Sequence, residues 1–185
     1  MRRTLVLQQI FQQFKFPIVM SSANLTIVKA TEKDIPLIQE LTNIVWPQTY
    51  KEILTKEQIT YMLNMMYSTA ALSKQMNEAH QFILVKDGEE YVAFASYALI
   101  KPAVYKLHKI YALPNQQGKG IGKFIIDYIT AEIKKVGATN LQLDVNRHNK
   151  AKGFYEKLGF KVVAEKDTDI GNGYFMNDYV MEMNL

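Results

Sequence analysis

The chain contains no cysteine, which excludes disulfides, thiolate nucleophiles and cysteine-ligated metals together. Histidine is scarce. His80, His108 and His148 show no His-x-x-x-His spacing, so no metal site is expected. Charge of one sign is not massed anywhere. The net charge of +4 comes from lysines spread along the chain. That distribution fits a solvated surface or an anionic ligand and does not call for a nucleic-acid partner. Long apolar runs are missing too. The opening "MRRTLVLQQIFQQFKFPIVMSSA" starts like a secretory signal, but Gln8, Gln9, Gln12, Gln13 and Lys15 break its apolar part. It is too short and too polar to span a membrane. Residues 1–23 are therefore expected to be an N-terminal extension with a short amphipathic helix, and Met20 is a second candidate start. Nothing asks for a membrane or an oxidising compartment, so the expected location is cytoplasmic.

What remains is an ordinary globular composition, 48% apolar and 22% charged over 185 residues. No repeat, low-complexity tract or linker divides residues 24–185, which are expected to form a single domain. "NLTIVKA" alternates as a half-buried strand does. Thr31 and Asp34 then open a helix expected to stop before Pro47. Thr55 and Gln58 form a capping box ahead of an apolar stripe of Ile59, Met62, Leu63 and Met66. "QFILVKDGEEYVAFASYALI" predicts two strands about the turn "DGEE", and "AVYKLHKIYAL" a third. A helix follows with Ile125, Ile129, Ile133 and Val136 on one face and Gly137 as its C-cap. "NLQLDV", a short helix in "NKAKGFYEKLGF", "KVVAEK" and "YFMNDYVMEMNL" complete the order β-α-α-β-β-β-α-β-α-β-β. That order predicts an α/β (α+β) fold, a mixed sheet flanked by helices.

The segment "NQQGKGIGKF" places Gly118, Gly120 and Gly122 between a strand and a helix. Glycines there let main-chain N–H groups converge on a ligand, and the helix dipole adds about half a positive charge. Lys119 and Lys123 add whole charges. The chemistry is that of an anion site, and a diphosphate fits it best. The spacing is neither that of the dinucleotide fingerprint nor that of a P-loop. A glycine-rich turn without a ligand is the plainer alternative.

A second motif agrees with the first. "QGKGIG" (117–122) matches the Q/R-x-x-G-x-G/A signature of the GNAT superfamily of N-acetyltransferases, and "NKAKGFYEKLGF" (149–160) resembles that superfamily's later motif. The resemblance covers residues 24–185. It implies the GNAT fold, with a central, mostly antiparallel mixed sheet, and acetyl-CoA as donor. It implies that Gln117, Gly118, Lys119, Gly120, Ile121, Gly122 and Lys123 hold the pyrophosphate. Ile110, Tyr111 and Ala112 would line the pantetheine arm, in a slot where their strand splays from "NLQLDV". Asn149 would contact the cofactor, and Lys152 is placed to reach a phosphate. Tyr155 corresponds to the general acid for the departing thiolate; a residue that merely packs beside the sulfur is the alternative. His108 stands where many members carry a glutamate base, and a plain surface histidine is the alternative there. Trp46, Tyr50, Tyr61, Met65, Tyr174 and Asp178 are candidates for the acceptor wall, and Asp167, Asp169 and Asp178 could draw a cationic amine, acidic loop residues that are simply solvated being the alternative. The acceptor class expected is a small primary amine such as a polyamine, amino acid or aminated metabolite. A protein N-terminus or lysine, or a regulatory acyl-CoA-binding module, are the alternatives. A homodimer is compatible with the family.

Overall fold

Strand pairing organises the computed structural model, which describes residues 24–185; the expected N-terminal helix and Met20 lie outside them. The strands are β1 Leu25–Lys29, β2 Gln81–Asp87, β3 Glu90–Lys101, β4 Val104–Ala112, β5 Asn140–Asn146, β6 Lys161–Gly171 and β7 Tyr174–Asn184. They form one sheet in the order β1-β2-β3-β4-β5-β7-β6. All neighbours are antiparallel except β4 and β5. The mixed, mostly antiparallel sheet is the one expected. Its helices are α1 Ile35–Tyr50, α2 Lys56–Tyr67, α3 Thr69–Asn77, α4 Ile121–Lys134 and α5 Lys152–Lys157.

Each face of the sheet carries its own core. On one, Ile121, Ile125, Ile126, Ile129 and Ile133 of α4 pack on Leu107, Leu141, Leu143, Val145 and Met181, with Tyr155 and Phe160 alongside. On the other, Ile35, Ile38, Leu41 and Trp46 of α1 meet Ile59 and Met62 of α2, Leu72 of α3, and Phe82, Leu84 and Phe94 of the sheet. Burying side chains of this size stabilises by about 1.5–3 kcal/mol each.

Several local expectations need correction. Helix α1 runs through Pro47 instead of stopping before it. The proline costs one hydrogen bond, to the carbonyl of Asn43, which faces solvent, while Trp46 and Tyr50 on either side are held by packing. Helix α3 is an additional element. Ser68 starts it, its Oγ accepting from the Ala71 N–H at 3.3 Å. Gln58 completes half of its expected box: its N–H donates to Thr55 Oγ1 at 3.1 Å, but its side chain reaches away to the Phe175 carbonyl. Val136 lies beyond the end of α4 and is 68% exposed, so it is no part of the apolar face.

Strand β4 is irregular where it matters. Lys109 pairs with Ser96 and Leu107 with Tyr97, so His108 is an extra residue, a β-bulge. Before it, Tyr105 and Leu107 face the α4 core; after it, Ile110 and Ala112 do, and Tyr111 turns to the α1–α3 side. Parallel pairing with β5 also ends there, at Leu107 and Leu143. A bulge bends its strand, and here the bent β4 leaves β5, opening a gap in the sheet between Ile110–Ala112 and Asp144–Asn146.

Candidate active site

The glycine segment closes one end of that gap. Gly118 and Gly120 have φ of 77° and 85°, in the left-handed region that side chains other than Asn and Asp rarely enter. Gly120 stands at the N-cap of α4 and has no side chain to satisfy the first turn. The N–H groups of Gly118, Lys119, Gly120, Ile121, Gly122 and Lys123 find no acceptor among the described residues. Converged donors at a helix N-terminus can hold a diphosphate. Gly122 serves a different end: a Cβ there would stand 2.9 Å from Phe154 Cζ, so its bareness lets α4 and α5 approach. Lys119 donates to Gln116 at 2.9 Å and Lys123 pairs with Asp127 at 2.6 Å, both at the surface. Ile121 is core, and contributes its main chain.

Asn149 caps the turn into α5, its Oδ1 accepting from the Ala151 N–H at 2.9 Å, and its amide Nδ2 makes no hydrogen bond among the described residues. Lys152 pairs with Glu156 at 2.5 Å and lies 5.6 Å above the Tyr179 ring. Tyr155 is 8% exposed and packs against Phe154 and Phe160. Burial holds its phenol well above the ordinary value. Although it belongs to the α4 layer, its phenol bears on Tyr50 and Tyr111 of the opposite layer. The gap between β4 and β5 is the opening through which the two layers meet.

Tyr50 and Tyr111 share a hydrogen bond of 3.1 Å and stand over Trp46, which is 2% exposed and therefore a floor, not a lining. Burial and the neighbouring phenols push both tyrosines well up. Tyr174 stacks on Tyr61 at 5.4 Å, and Tyr61 donates to the Ile170 carbonyl at 2.6 Å. Together with the bond from Gln58 to Phe175, this ties the β6–β7 hairpin down onto α2. Met65 is exposed. Asp167 is engaged by Arg147, which also binds Glu165 at 2.9 Å; Asp169 accepts from the Gly171 N–H at 2.8 Å. Asp178 is buried beside the gap. Among the described residues no cluster of His, Cys, Asp and Glu forms a metal cage, and no helix is long and apolar enough to cross a membrane.

Residues 50–183 match the acetyltransferase (GNAT) domain family. The chain belongs to the GNAT family. It is 28% identical over 109 residues to a [ribosomal protein bS18]-alanine N-acetyltransferase of Haemophilus influenzae, covering 59% of this chain and 70% of that protein. It is 30% identical over 105 residues to a peptidyl-lysine N-acetyltransferase of Salmonella typhimurium, covering 56% of this chain and 66% of that protein. The PaiA N-acetyltransferase of Thermoplasma acidophilum, solved with coenzyme A, superposes with a TM-score of 0.74 at 26% identity, over 87% of this chain and 99% of that one. The fold is thus the GNAT fold, and the chain is an acetyl-CoA-dependent acetyltransferase.

Within this GNAT chain His108 sits differently from a surface histidine. Its ring stacks on His80 at 4.3 Å, and both His108 Nε2 and His80 Nδ1 are buried without a partner. Burial, then His80, Lys106 and Lys109, lower its pKa to about 3. Beside it Lys109 is buried against Tyr67 and Phe82, donating to Gln75 at 2.5 Å, and burial lowers it to about 8. His80 is lowered as well, by burial and by Lys109. The unfolded chain takes up protons near the ordinary histidine value of about 6.5 while the folded chain does not. Stability contributed by the neutral His108 is complete above that value and is lost as pH falls toward 3. The thermal midpoint is expected to drop from pH 6.5 downward, and His108→Phe is expected to flatten that slope in calorimetry at stepped pH.

Sequence reasoning missed Asp144, Lys106 and Lys109. Asp144 pairs with Lys106 at 2.5 Å inside the gap's β5 wall. Its alternation in "LQLDVN" places it off the apolar face.

Proposed function

We propose that this acetyltransferase moves the acetyl group of acetyl-CoA to the primary amine of a small molecule, within one domain formed by residues 24–185. Acetyl-CoA supplies the thioester carbonyl and the thiolate that leaves. The main chain of residues 118–123 holds its diphosphate, Asn149 donates to it, and Ile110 to Ala112 present strand edge groups to the arm beyond. Tyr155 gives its phenolic proton to the departing sulfur; a buried, high-pKa phenol is fully protonated at neutral pH and able to do so. His108 is a weak base in its stack against His80, which argues against the role expected for it.

The observation that carries the acceptor class is the tether between hairpin and α2. Tyr61 to Ile170, Gln58 to Phe175 and the Tyr61–Tyr174 stack close the acceptor side where an extended peptide would have to lie. A free amine fits behind such a bridge; a polypeptide requires it to open. The relatives from H. influenzae and S. typhimurium, named for ribosomal-protein alanine and peptidyl lysine, favour a second reading, a protein amine. Thiol release from acetyl-CoA over polyamines, amino acids, an Ala-terminated peptide and a lysine peptide decides between them. A free amine is expected to exceed both peptides in kcat/KM by about tenfold or more, equal to about 1.4 kcal/mol. The reverse order overturns the small-amine reading. Removing the latch in Tyr61→Phe is expected to raise the amine KM about 3- to 10-fold, the worth of one hydrogen bond, with the acetyl-CoA KM unchanged.

A further inference from the structure

Asp178 is a carboxylate that the fold buries and does not pair. It is 8% exposed, and no hydrogen bond or ion pair to its side chain occurs among the described residues. Its oxygens are not among the sealed polar atoms without a partner, so the carboxylate keeps some access while making no direct bond of its own. The cations nearby are engaged elsewhere. Lys106 binds Asp144 at 2.5 Å, Lys166 stands 4.0 Å from the same Asp144, and Arg147 is held by Glu165 and Asp167.

Its position is informative. Asp178 pairs across β7 with Asn146, the last residue of β5, three residues beyond the final β4–β5 pair at Leu143. It alternates with Tyr179 and Met181, which face α4, and shares the side of Met176, which packs in the α1–α3 layer. There its charge bears on the Tyr50 phenol, as do Tyr111 and Tyr155. The Asp178 carboxylate and the Tyr111 and Tyr155 phenols thus all lie within electrostatic reach of Tyr50.

We propose that the Asp178 carboxylate is the base that takes the proton from the acceptor's ammonium group. This rests on the reading that the acceptor is an amine. The ammonium N–H bond breaks and an Asp178 O–H bond forms, freeing the nitrogen lone pair. That pair makes the C–N bond as the C–S bond breaks, and the sulfur takes the Tyr155 proton. The second proton of the nitrogen restores Tyr155. The proton on Asp178 leaves to solvent, so each turnover releases amide, thiol and one proton. Burial first, and then Asp144, raise the Asp178 pKa to about 6, against the opposing pull of Lys106, Lys166 and Arg147. A base poised there is ionised at neutral pH yet close enough in affinity to accept a proton.

The test compares wild type with Asp178→Asn on two acceptors across pH 6–10: the best alkyl amine from the panel, and methoxyamine, which is already unprotonated at neutral pH. For the alkyl amine, kcat at pH 7 is expected to fall about 10²- to 10⁴-fold, the usual worth of a general base. It should recover as pH rises and free amine accumulates, and the wild-type acid limb near pH 6 should vanish. For methoxyamine the loss is expected to be under tenfold. Equal losses on both acceptors, or a change in KM alone, would overturn the proposal. Coenzyme A binding by calorimetry monitors the fold. Should the asparagine variant bind no coenzyme A, Asp178→Glu takes its place: a retained acid limb supports the proposal, and a wild-type profile with no such limb overturns it. If wild type acetylates the Ala-terminated peptide instead of any free amine, the small-amine reading fails by itself, and the same comparison is run on that peptide's N-terminus.

Discussion

Substituting valine for Gly120 is expected to weaken coenzyme A binding about 100-fold or more, close to 2.7 kcal/mol, with the fold retained. Space is not the obstacle, because a Cβ at this position meets nothing within 4 Å. Conformation is. At φ 85° a β-branched residue carries a cost of about 1–2 kcal/mol, and the backbone relieves it by turning. Turning moves the N–H groups of residues 118–123 off their common point. Each hydrogen bond to a charged oxygen is worth about 1.5–3 kcal/mol, so losing one or two accounts for the deficit. Titration calorimetry with coenzyme A measures it. Gly153→Ala is the control: that glycine lies in α5 with no positive φ and open space at its Cβ, and the change is expected to be neutral or stabilising by about 0.5–1 kcal/mol. Unaltered affinity in Gly120→Val would remove the glycine segment from the donor site.

Tyr155→Phe is expected to lower kcat about 100-fold and leave the affinity for coenzyme A as it was. The ring stays, with its contacts to Phe154 and Phe160, and the hydroxyl makes no hydrogen bond among the described residues, so stability should move by less than about 1 kcal/mol. Because burial keeps the phenol protonated far above neutrality, the wild-type rate should show no loss attributable to Tyr155 below pH 9. Pre-steady-state thiol release separates this step from product departure. Full activity in the phenylalanine variant would reduce Tyr155 to a packing residue.

Much of this architecture was legible before any coordinates. The strands announced themselves by alternation, and α4 by its four-residue isoleucine spacing. Gly137 adopts the positive φ expected of a C-cap. The glycine segment and Tyr155 were readable through two motifs in a fixed order. Three features were not. Pro47 marks a helix stop by local rules, but the packing of Trp46 and Tyr50 outweighs one lost bond. Helix α3 has a single fully buried residue, Leu72, too little for a periodic signal. The bulge at His108 leaves no mark in composition, because it is defined by which residues of β3 are opposite. With it went the fate of His108 and Lys109: read as a regular strand, "KLHKIYAL" offers His108 as a base or as a plain surface histidine, whereas the bulge sets it half-buried against His80, beside a buried Lys109.

That one unmatched residue also sets the handedness of the reaction chamber. An ideal strand assigns odd and even positions to fixed sides for its whole length; β4 exchanges the assignment midway. Drawing His108 into regular pairing, with the number of residues unchanged, would reverse the later half, sending the Tyr111 hydroxyl in among the isoleucines and Ile110 toward Tyr50. The two sides of the strand would trade walls without any change in the residues that build them, whereas removing His108 outright would leave Ile110 and Tyr111 facing as they do now.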